Sequence, residues 1–233
     1  ILQHHSFFLA TTISGFSTLP CLQKMITRLI GIAKSGIYRT YLTASFYELF
    51  PKNFPHGGPP QDSFIVNDKS LRREYRSLQS ESHPDISSDT IKSSNINRAY
   101  TTLKNPYTRI AHFIHLKLPN HVNITDDAVA KKLIKNYQQK SMEASMNYKE
   151  MLMQVMEAHE QLELAELENE LETLEAENKE RIKTTEERIN QSLKNTPIDW
   201  EELMMDAIRL KYWVNIQNGI KDWEPGKPVH LTH

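Results

Sequence analysis

The sequence is poor in cysteine and glycine. Of its 233 residues, Cys21 is the only cysteine and seven are glycines. A single thiol excludes an internal disulfide and any metal site built from several thiolates. Scarce glycine, together with long stretches that also lack proline, disfavours the turn-rich chains of β-sandwiches and barrels. We therefore expect an all-α protein.

The sequence also lacks a strong net charge and a long hydrophobic run. The formal net charge is −1, so no general attraction to nucleic acid or to an anionic membrane is expected. The apolar stretch "SFFLATTISGFSTLPCL" is too short and too rich in Ser and Thr to span a membrane. Hydrophobic residues make up 39% of the chain, which is enough for a packed core.

Acidic residues are absent from the N-terminal segment, where Glu48 is the first of them. The bases of this segment include Lys24, Arg28, Lys34 and Arg39. A basic, amphipathic and acid-free segment is typical of a mitochondrial transit peptide. We therefore expect residues 1–44 to be a presequence, with a structured N-terminal arm as the alternative. Met25 is an alternative start, which would leave residues 1–24 upstream of it.

Gly and Pro are both absent from residues 127–194. Residues 157–188 contain twelve glutamates and only four Lys or Arg residues. A 3-4-3 spacing typical of a coiled-coil seam is formed by Leu164, Leu167, Leu171 and Leu174. Two heptads are fewer than a free coiled coil needs, and the pattern is interrupted at residues 175–178. This favours an antiparallel hairpin over one rod. A third amphipathic helix is predicted from Thr196-Pro197 to Trp223.

Shorter helical patterns fill residues 45–118. "ASFYELFP" predicts a short helix, and a helix with Asp68 as its N-cap follows after a loop. Pro84 ends this helix, and a helix over residues 89–104 lies antiparallel to it. "YTRIAHFIHLKL" predicts a fourth. The expected organisation is a presequence at 1–44, a first domain at 45–118, a linker at 119–126, a three-helix bundle at 127–225 and a tail at 226–233.

The stretch "LRREYRSLQSESHPD" joins a basic helix face to the tripeptide His83-Pro84-Asp85. Alone, this tripeptide is a weak signal that an ordinary proline helix stop would also explain. Its position between two antiparallel helices resembles a J-domain, the module that stimulates ATP hydrolysis by DnaK-type heat-shock chaperones. The residues that this resemblance assigns to chaperone binding are His83, Pro84, Asp85, Lys69, Arg72, Arg73 and Arg76.

Over residues 45–233 the sequence resembles one particular family of J-domain proteins. "SFYELFP", "INRAYTTLKNP" and "LKYWVNIQNGIKDWEPGK" are similar to the HscB/Jac-type co-chaperones of mitochondrial iron–sulfur cluster biogenesis. This similarity implies a monomeric, non-catalytic matrix protein with a J-domain and a C-terminal three-helix bundle. It implies two partners, a mitochondrial DnaK-type chaperone and an iron–sulfur scaffold protein of the Isu/IscU type. The zinc module of some animal members is not expected, since Cys21 is the only cysteine.

The same resemblance assigns scaffold binding to "EMLMQVMEAHEQL" and to the aromatic residue of "LKYW". By that match Leu152, Met156 and Tyr212 hold the scaffold. The surrounding residues are Met151, Gln154, Glu157 and Gln161. The alternative from spacing alone is that the apolar residues among them belong to the bundle core.

Other candidate metal or catalytic sites lack the residues that such sites require. His112 and His115 share a helix face, but no acid or thiol ligand accompanies them. His159 lacks the second histidine of a zinc-protease motif, and the chain has no Gly-rich phosphate loop. We therefore expect no enzyme activity, no metal and no cofactor. The alternative function is a general J-domain co-chaperone whose acidic helices dimerise as a coiled coil.

Overall fold

The computed structural model describes residues 45–81 and 90–227. Within these residues the chain forms α-helices and short 3₁₀ turns without any strand, which confirms the all-α prediction. The helices are α1 (Asp68–Glu81), α2 (Thr90–Lys104), α3 (Pro106–Lys117), α4 (Asp127–Lys140), α5 (Met142–Leu164), α6 (Leu171–Ser192) and α7 (Trp200–Lys221). Among the helices of the described residues, none combines the length and apolarity needed to cross a membrane.

Helices α1 and α2 form the predicted antiparallel hairpin. The Tyr75 hydroxyl donates to Asn97 Oδ1 at 2.7 Å, and Ser93 Oγ donates to Gln79 Oε1 at 3.1 Å. The rings of Tyr75 and Tyr100 are stacked with centroids 4.0 Å apart. Tyr75 contacts Asn97 and Tyr100, whereas Gln79, one turn later on α1, contacts Ser93, one turn earlier on α2. The two helices therefore run in opposite directions.

The start of α1 differs by one residue from the prediction. Asn67, not Asp68, is the capping residue, because its Oδ1 accepts the backbone N–H of Ser70 at 3.0 Å. Asp68 is instead the first residue of the helix, where its carboxylate interacts favourably with the helix dipole.

The C-terminal region holds four helices where the sequence suggested three. Ser141 has extended backbone angles, φ −158° and ψ 162°, and its hydroxyl accepts the N–H of Ala144 at 3.0 Å. This serine therefore ends α4 and caps α5 in a single step. Helices α5, α6 and α7 are the three long members of the bundle, and α4 is an additional shorter helix.

The turn of the predicted hairpin lies between α5 and α6, earlier than the interruption at residues 175–178. The Glu170 carboxylate accepts the backbone N–H groups of Glu166 and Leu167 at 2.8 and 3.3 Å, which stabilises this turn. Residues on either side of the turn share one apolar cluster, as an antiparallel hairpin requires. The cluster contains Ala158, Leu162, Leu171 and Leu174.

The interruption at residues 175–178 marks a buried polar contact. Asn178 is fully buried on α6, and its Nδ2 donates to the Trp213 carbonyl at 3.0 Å and to Gln217 Oε1 at 3.2 Å. Of the four leucines with coiled-coil spacing, only Leu171 and Leu174 are buried. They pack inside this chain, so no continuous seam is left for a second copy.

The first predicted domain and the helical bundle pack on each other. One core cluster contains Ile110 and Phe113 of α3 together with Leu203, Ala207 and Leu210 of α7. Continuous packing of this kind fixes the orientation of the α1–α2 hairpin relative to the bundle.

Candidate functional site

The outer face of α1 presents the four predicted cations. These are Lys69, Arg72, Arg73 and Arg76, and all of them are exposed. Their spacing confines them to about 100° of the helix circumference, opposite the buried Leu71 and Glu74. None of the four forms an ion pair or a hydrogen bond with another described residue. The face therefore keeps its charge available for an external partner.

The tripeptide His83-Pro84-Asp85 lies outside the described residues. Of the seven residues predicted to bind the chaperone, the structure therefore places the four cations of α1. Helix α2, described from Thr90 onward, continues on the other side of the tripeptide.

Glu74 fixes the position of α1, and sequence reasoning missed it. Its side chain is buried, and its carboxylate accepts the backbone N–H groups of Lys52 and Asn53 at 2.8 and 3.1 Å. Asn53 Nδ2 adds a third hydrogen bond of 2.6 Å. A carboxylate between Leu71 and Leu78 on the apolar face was the available signal, because a buried charge requires partners.

His112 has a structural role. Its Nε2 accepts the backbone N–H of Phe46 at 3.0 Å, and its ring stacks on the Phe46 ring with centroids 4.4 Å apart. Burial first, then His115 and Arg98, lower the pKa of His112 to about 4, so the ring is neutral at physiological pH. Within the described residues no group of three or more His, Cys, Asp or Glu side chains is arranged to hold a metal ion.

Three of the predicted scaffold-binding residues lie on one side of the bundle. Leu152 and Tyr212 are partly buried against the same cluster of α4, α5 and α7. The hydroxyl of Tyr212 is 3.4 Å from that of Tyr148, which lies one turn before Leu152. Met156 follows one turn after Leu152 and is 64% exposed.

The other predicted residues are distributed differently. Met151 is only 4% exposed, so it is a core residue and not part of an open surface patch. Gln154 and Gln161 are exposed but lie about half a turn around α5 from Leu152. Gln154 lines a cleft of about 770 Å³ formed with α6 and α7. Glu157 is exposed on the arc of α5 between Leu152 and the two glutamines.

The wall of this cleft contains charges that the sequence did not reveal. Arg188 and Arg209 line the cleft, and they pair at 2.9 and 2.5 Å with Oδ1 of Asp206, which is buried on α7. Burial raises the pKa of Asp206, while the two arginines act against this shift. The guanidinium of Arg181 lies 5.2 Å from the centroid of the Trp213 ring. These contacts hold α6 on α7 and make the cleft polar.

Comparisons with known proteins agree with this architecture. Residues 147–221 match the family model described as HSCB C-terminal oligomerisation domain. The chain is 34% identical over 192 residues to the mitochondrial J-type co-chaperone JAC1 of Saccharomyces cerevisiae, covering 82% of this chain and 95% of the relative. The solved Jac1 co-chaperone from Saccharomyces cerevisiae matches with a TM-score of 0.56 at 30% identity, over 80% of this chain and 97% of that one.

A second solved structure has the same fold at lower identity. The chaperone HscB from Vibrio cholerae matches with a TM-score of 0.51 at 20% identity, over 76% of this chain and 95% of that one. The identity to JAC1 extends over most of both chains and includes both helical regions. The chain therefore belongs to the HscB/Jac family of J-type co-chaperones, the iron–sulfur cluster biogenesis family that its motifs resemble.

Proposed function

We propose that this protein stimulates the ATPase of a DnaK-type heat-shock chaperone in the mitochondrial matrix. We propose further that it delivers an iron–sulfur scaffold protein of the Isu/IscU type to that chaperone. The observation that carries the proposal is the exposed cationic face of α1, whose four residues pair with no other described residue and which precedes His83-Pro84-Asp85 in the sequence.

In this proposal the cations of α1 are presented to the chaperone on a rigid hairpin. The α1–α2 hairpin is fixed by hydrogen bonds and ring stacking, so little conformational entropy is lost when a partner docks. The cations of α1 steer the hairpin toward an acidic surface, and salt screens this attraction. Pro84 restricts its own backbone, and Asp85 supplies a carboxylate for a charge-assisted hydrogen bond.

The scaffold contact is proposed on the side of the bundle where Leu152, Met156 and Tyr212 gather. Met156 is the most exposed of the three, Leu152 lies one turn before it, and Tyr212 is partly buried against the same cluster as Leu152. An apolar centre with a polar edge is the usual anatomy of a binding hot spot. Glu157 belongs to that edge. Gln154 and Gln161 contact the scaffold only if it extends around α5 to the side opposite Leu152.

Mitochondrial import is the proposed role of residues 1–44, which lie outside the described residues. The relative JAC1 is described as mitochondrial, and the segment has transit-peptide composition. A reporter fused to residues 25–44 should reach the matrix. A reporter that stays in the cytosol, or mature protein that retains Arg28, would contradict this role.

A single-turnover ATPase assay with a purified mitochondrial DnaK-type chaperone tests the main proposal. The natural chain should accelerate hydrolysis, and a variant with alanine at His83, Pro84 and Asp85 should not. A control variant with alanine at Ser87 and Ser88 changes the same segment and should retain stimulation. The triple variant should still capture purified scaffold protein. Stimulation by the triple-alanine variant would refute the proposal.

A further inference from the structure

Helix α5 carries a second apolar surface that the proposed contacts do not use. Its members are Met142, Met146, Met153 and Leu164, which are 82, 60, 70 and 70% exposed. We call this set the methionine stripe. Successive members are 4, 7 and 11 residues apart, and each spacing is within about 40° of a whole number of helical turns. The four side chains therefore lie along one line of the helix, which the exposed charged residues Lys149 and Glu160 share.

This line faces away from the protein. The buried residues of α5 include Met151, Ala158 and Leu162, which form the opposite side of the helix. Met153 lies about 200° around the helix from Met151 and about 100° from Leu152. The methionine stripe is thus separate from both the core and the line of Leu152, with Met156 between them. Isolated exposed apolar residues are ordinary, but an aligned series of them marks an interaction surface.

The charges around the stripe identify the chemistry of its occupant. Helix α5 contains five glutamates and one lysine; Glu143 and Glu150 are exposed beside the stripe, and Glu160 and the lysine, Lys149, are exposed on its line. A second copy of this helix would bring two sets of glutamates together, which is unfavourable at an interface. A partner with bases beside its own apolar residues would match both features.

We propose that the methionine stripe is a docking surface for a basic amphipathic helix of a partner protein. The stripe extends over about 33 Å, the length of a partner helix of about 22 residues. Methionine side chains are flexible and polarisable, so they adapt to the different apolar residues of such a helix. Bases at the edges of the partner helix then pair with the glutamates of α5. This inference is independent of the proposed chaperone and scaffold contacts.

Fluorescence anisotropy with the full chain and two labelled 18-residue peptides tests the proposal. One peptide contains only leucine and lysine in amphipathic helical order, and the other replaces each lysine by glutamate. The lysine peptide should bind, and the glutamate peptide should not. Met146→Gln together with Met153→Gln should weaken binding by about tenfold or more, because two apolar contacts are lost. Both residues are exposed, so circular dichroism should be unchanged.

Ile91→Gln is the matched control, because Ile91 is 73% exposed but lies on α2. It should leave peptide binding unchanged. The double methionine variant should also retain stimulation of the chaperone ATPase, which separates this surface from the proposed function. Equal binding of both peptides, or equal loss in the Ile91 control, would overturn the proposal. Sedimentation as a dimer that the double variant dissociates would overturn it in favour of a second copy.

Discussion

Arg109 and Glu186 form an ion pair that joins α3 to α6. The Arg109 guanidinium is buried, donates a hydrogen bond to the Leu103 carbonyl at 2.7 Å and lies 4.7 Å from the Phe64 ring centroid. Its other terminal nitrogen donates to the Glu186 carboxylate. Burial lowers the pKa of Arg109, and the nearby carboxylate counteracts this shift. The pair thus links the predicted J-domain to the bundle through a buried charge.

Removing one partner should be strongly destabilising. Arg109→Met keeps a long side chain but leaves the Glu186 carboxylate without its cation, so we expect a loss of about 3–5 kcal/mol in the free energy of unfolding. Urea denaturation followed by circular dichroism measures it. Lys179→Ala is the control, because the pair of Lys179 and Glu175 is exposed and its loss should change stability little. Similar losses in both variants would contradict the proposed role of the buried pair.

Charge reversal on α1 should weaken the proposed chaperone contact. Exposed cations act mainly on association, so replacing Arg72, Arg73 and Arg76 by glutamate should raise the concentration needed for half-maximal ATPase stimulation by about tenfold at low salt. The effect should shrink as salt is added, since screening reduces the attraction. A salt series of the stimulation assay measures both quantities.

The bundle offers a matched control for this charge reversal. Lys131, Lys132 and Lys135 are exposed on α4, so their replacement by glutamate changes the net charge by the same amount at a different place. This variant should stimulate normally at every salt concentration. If both triple reversals weaken stimulation equally, net charge is responsible and the face of α1 has no specific role.

His112 should make stability dependent on pH. Its folded-state pKa of about 4 lies below the ordinary value of 6.5, so the unfolded chain binds more protons between these values. The stabilisation is complete above pH 6.5 and is lost as pH falls toward 4. Because the ring is partly exposed, we expect a loss of about 1–2 kcal/mol from this group. Urea midpoints between pH 7.5 and pH 4.5 measure it.

His112→Gln isolates this contribution. Glutamine retains an acceptor for the Phe46 N–H but has no titrating ring, so the variant should lose less stability on acidification than the natural chain. If the urea midpoints of the natural chain and of His112→Gln fall equally as the pH is lowered, groups other than His112 cause the acid sensitivity.

The sequence predicted those features that depend on periodicity. The apolar faces of α1 and α2, the helical class and the cationic line of α1 all follow from the spacing of residues along a helix. The interruption of the apolar pattern at residues 175–178 did not show where the hairpin turns, because Asn178 is a buried polar residue inside α6. In the structure the Nδ2 of Asn178 donates to Trp213 and Gln217, which are 35 and 39 residues away. Such long-range partners leave no local signal.

The candidate scaffold surface shows a related limit. Helical spacing alone gives the relative angles of Leu152, Met156 and Gln154, but it does not say which side of α5 is buried. Met151 was assigned to the surface and is in the core because α4 and α7 cover that side of α5. The exposure of Met156 likewise became visible only with the packed helices.

The scaffold contact gives the sharpest prediction. Burying an apolar side chain is worth about 1.5–3 kcal/mol, so alanine at Leu152, Met156 and Tyr212 together should cost about 4 kcal/mol or more of binding free energy. This corresponds to roughly a thousandfold loss of affinity for purified scaffold protein. Isothermal titration calorimetry measures it, and ATPase stimulation in the absence of scaffold should be unchanged.

Single substitutions separate binding from folding. Met156 is 64% exposed, so Met156→Ala should weaken scaffold binding by about tenfold while the melting temperature stays constant. Leu152→Ala and Tyr212→Ala should weaken binding and also lower the melting temperature, because both side chains are partly buried. Leu167→Ala is the control, since Leu167 is similarly exposed but lies beyond the end of α5. If Met156→Ala and Leu167→Ala both bind scaffold as well as the natural chain does, Met156 does not belong to the contact.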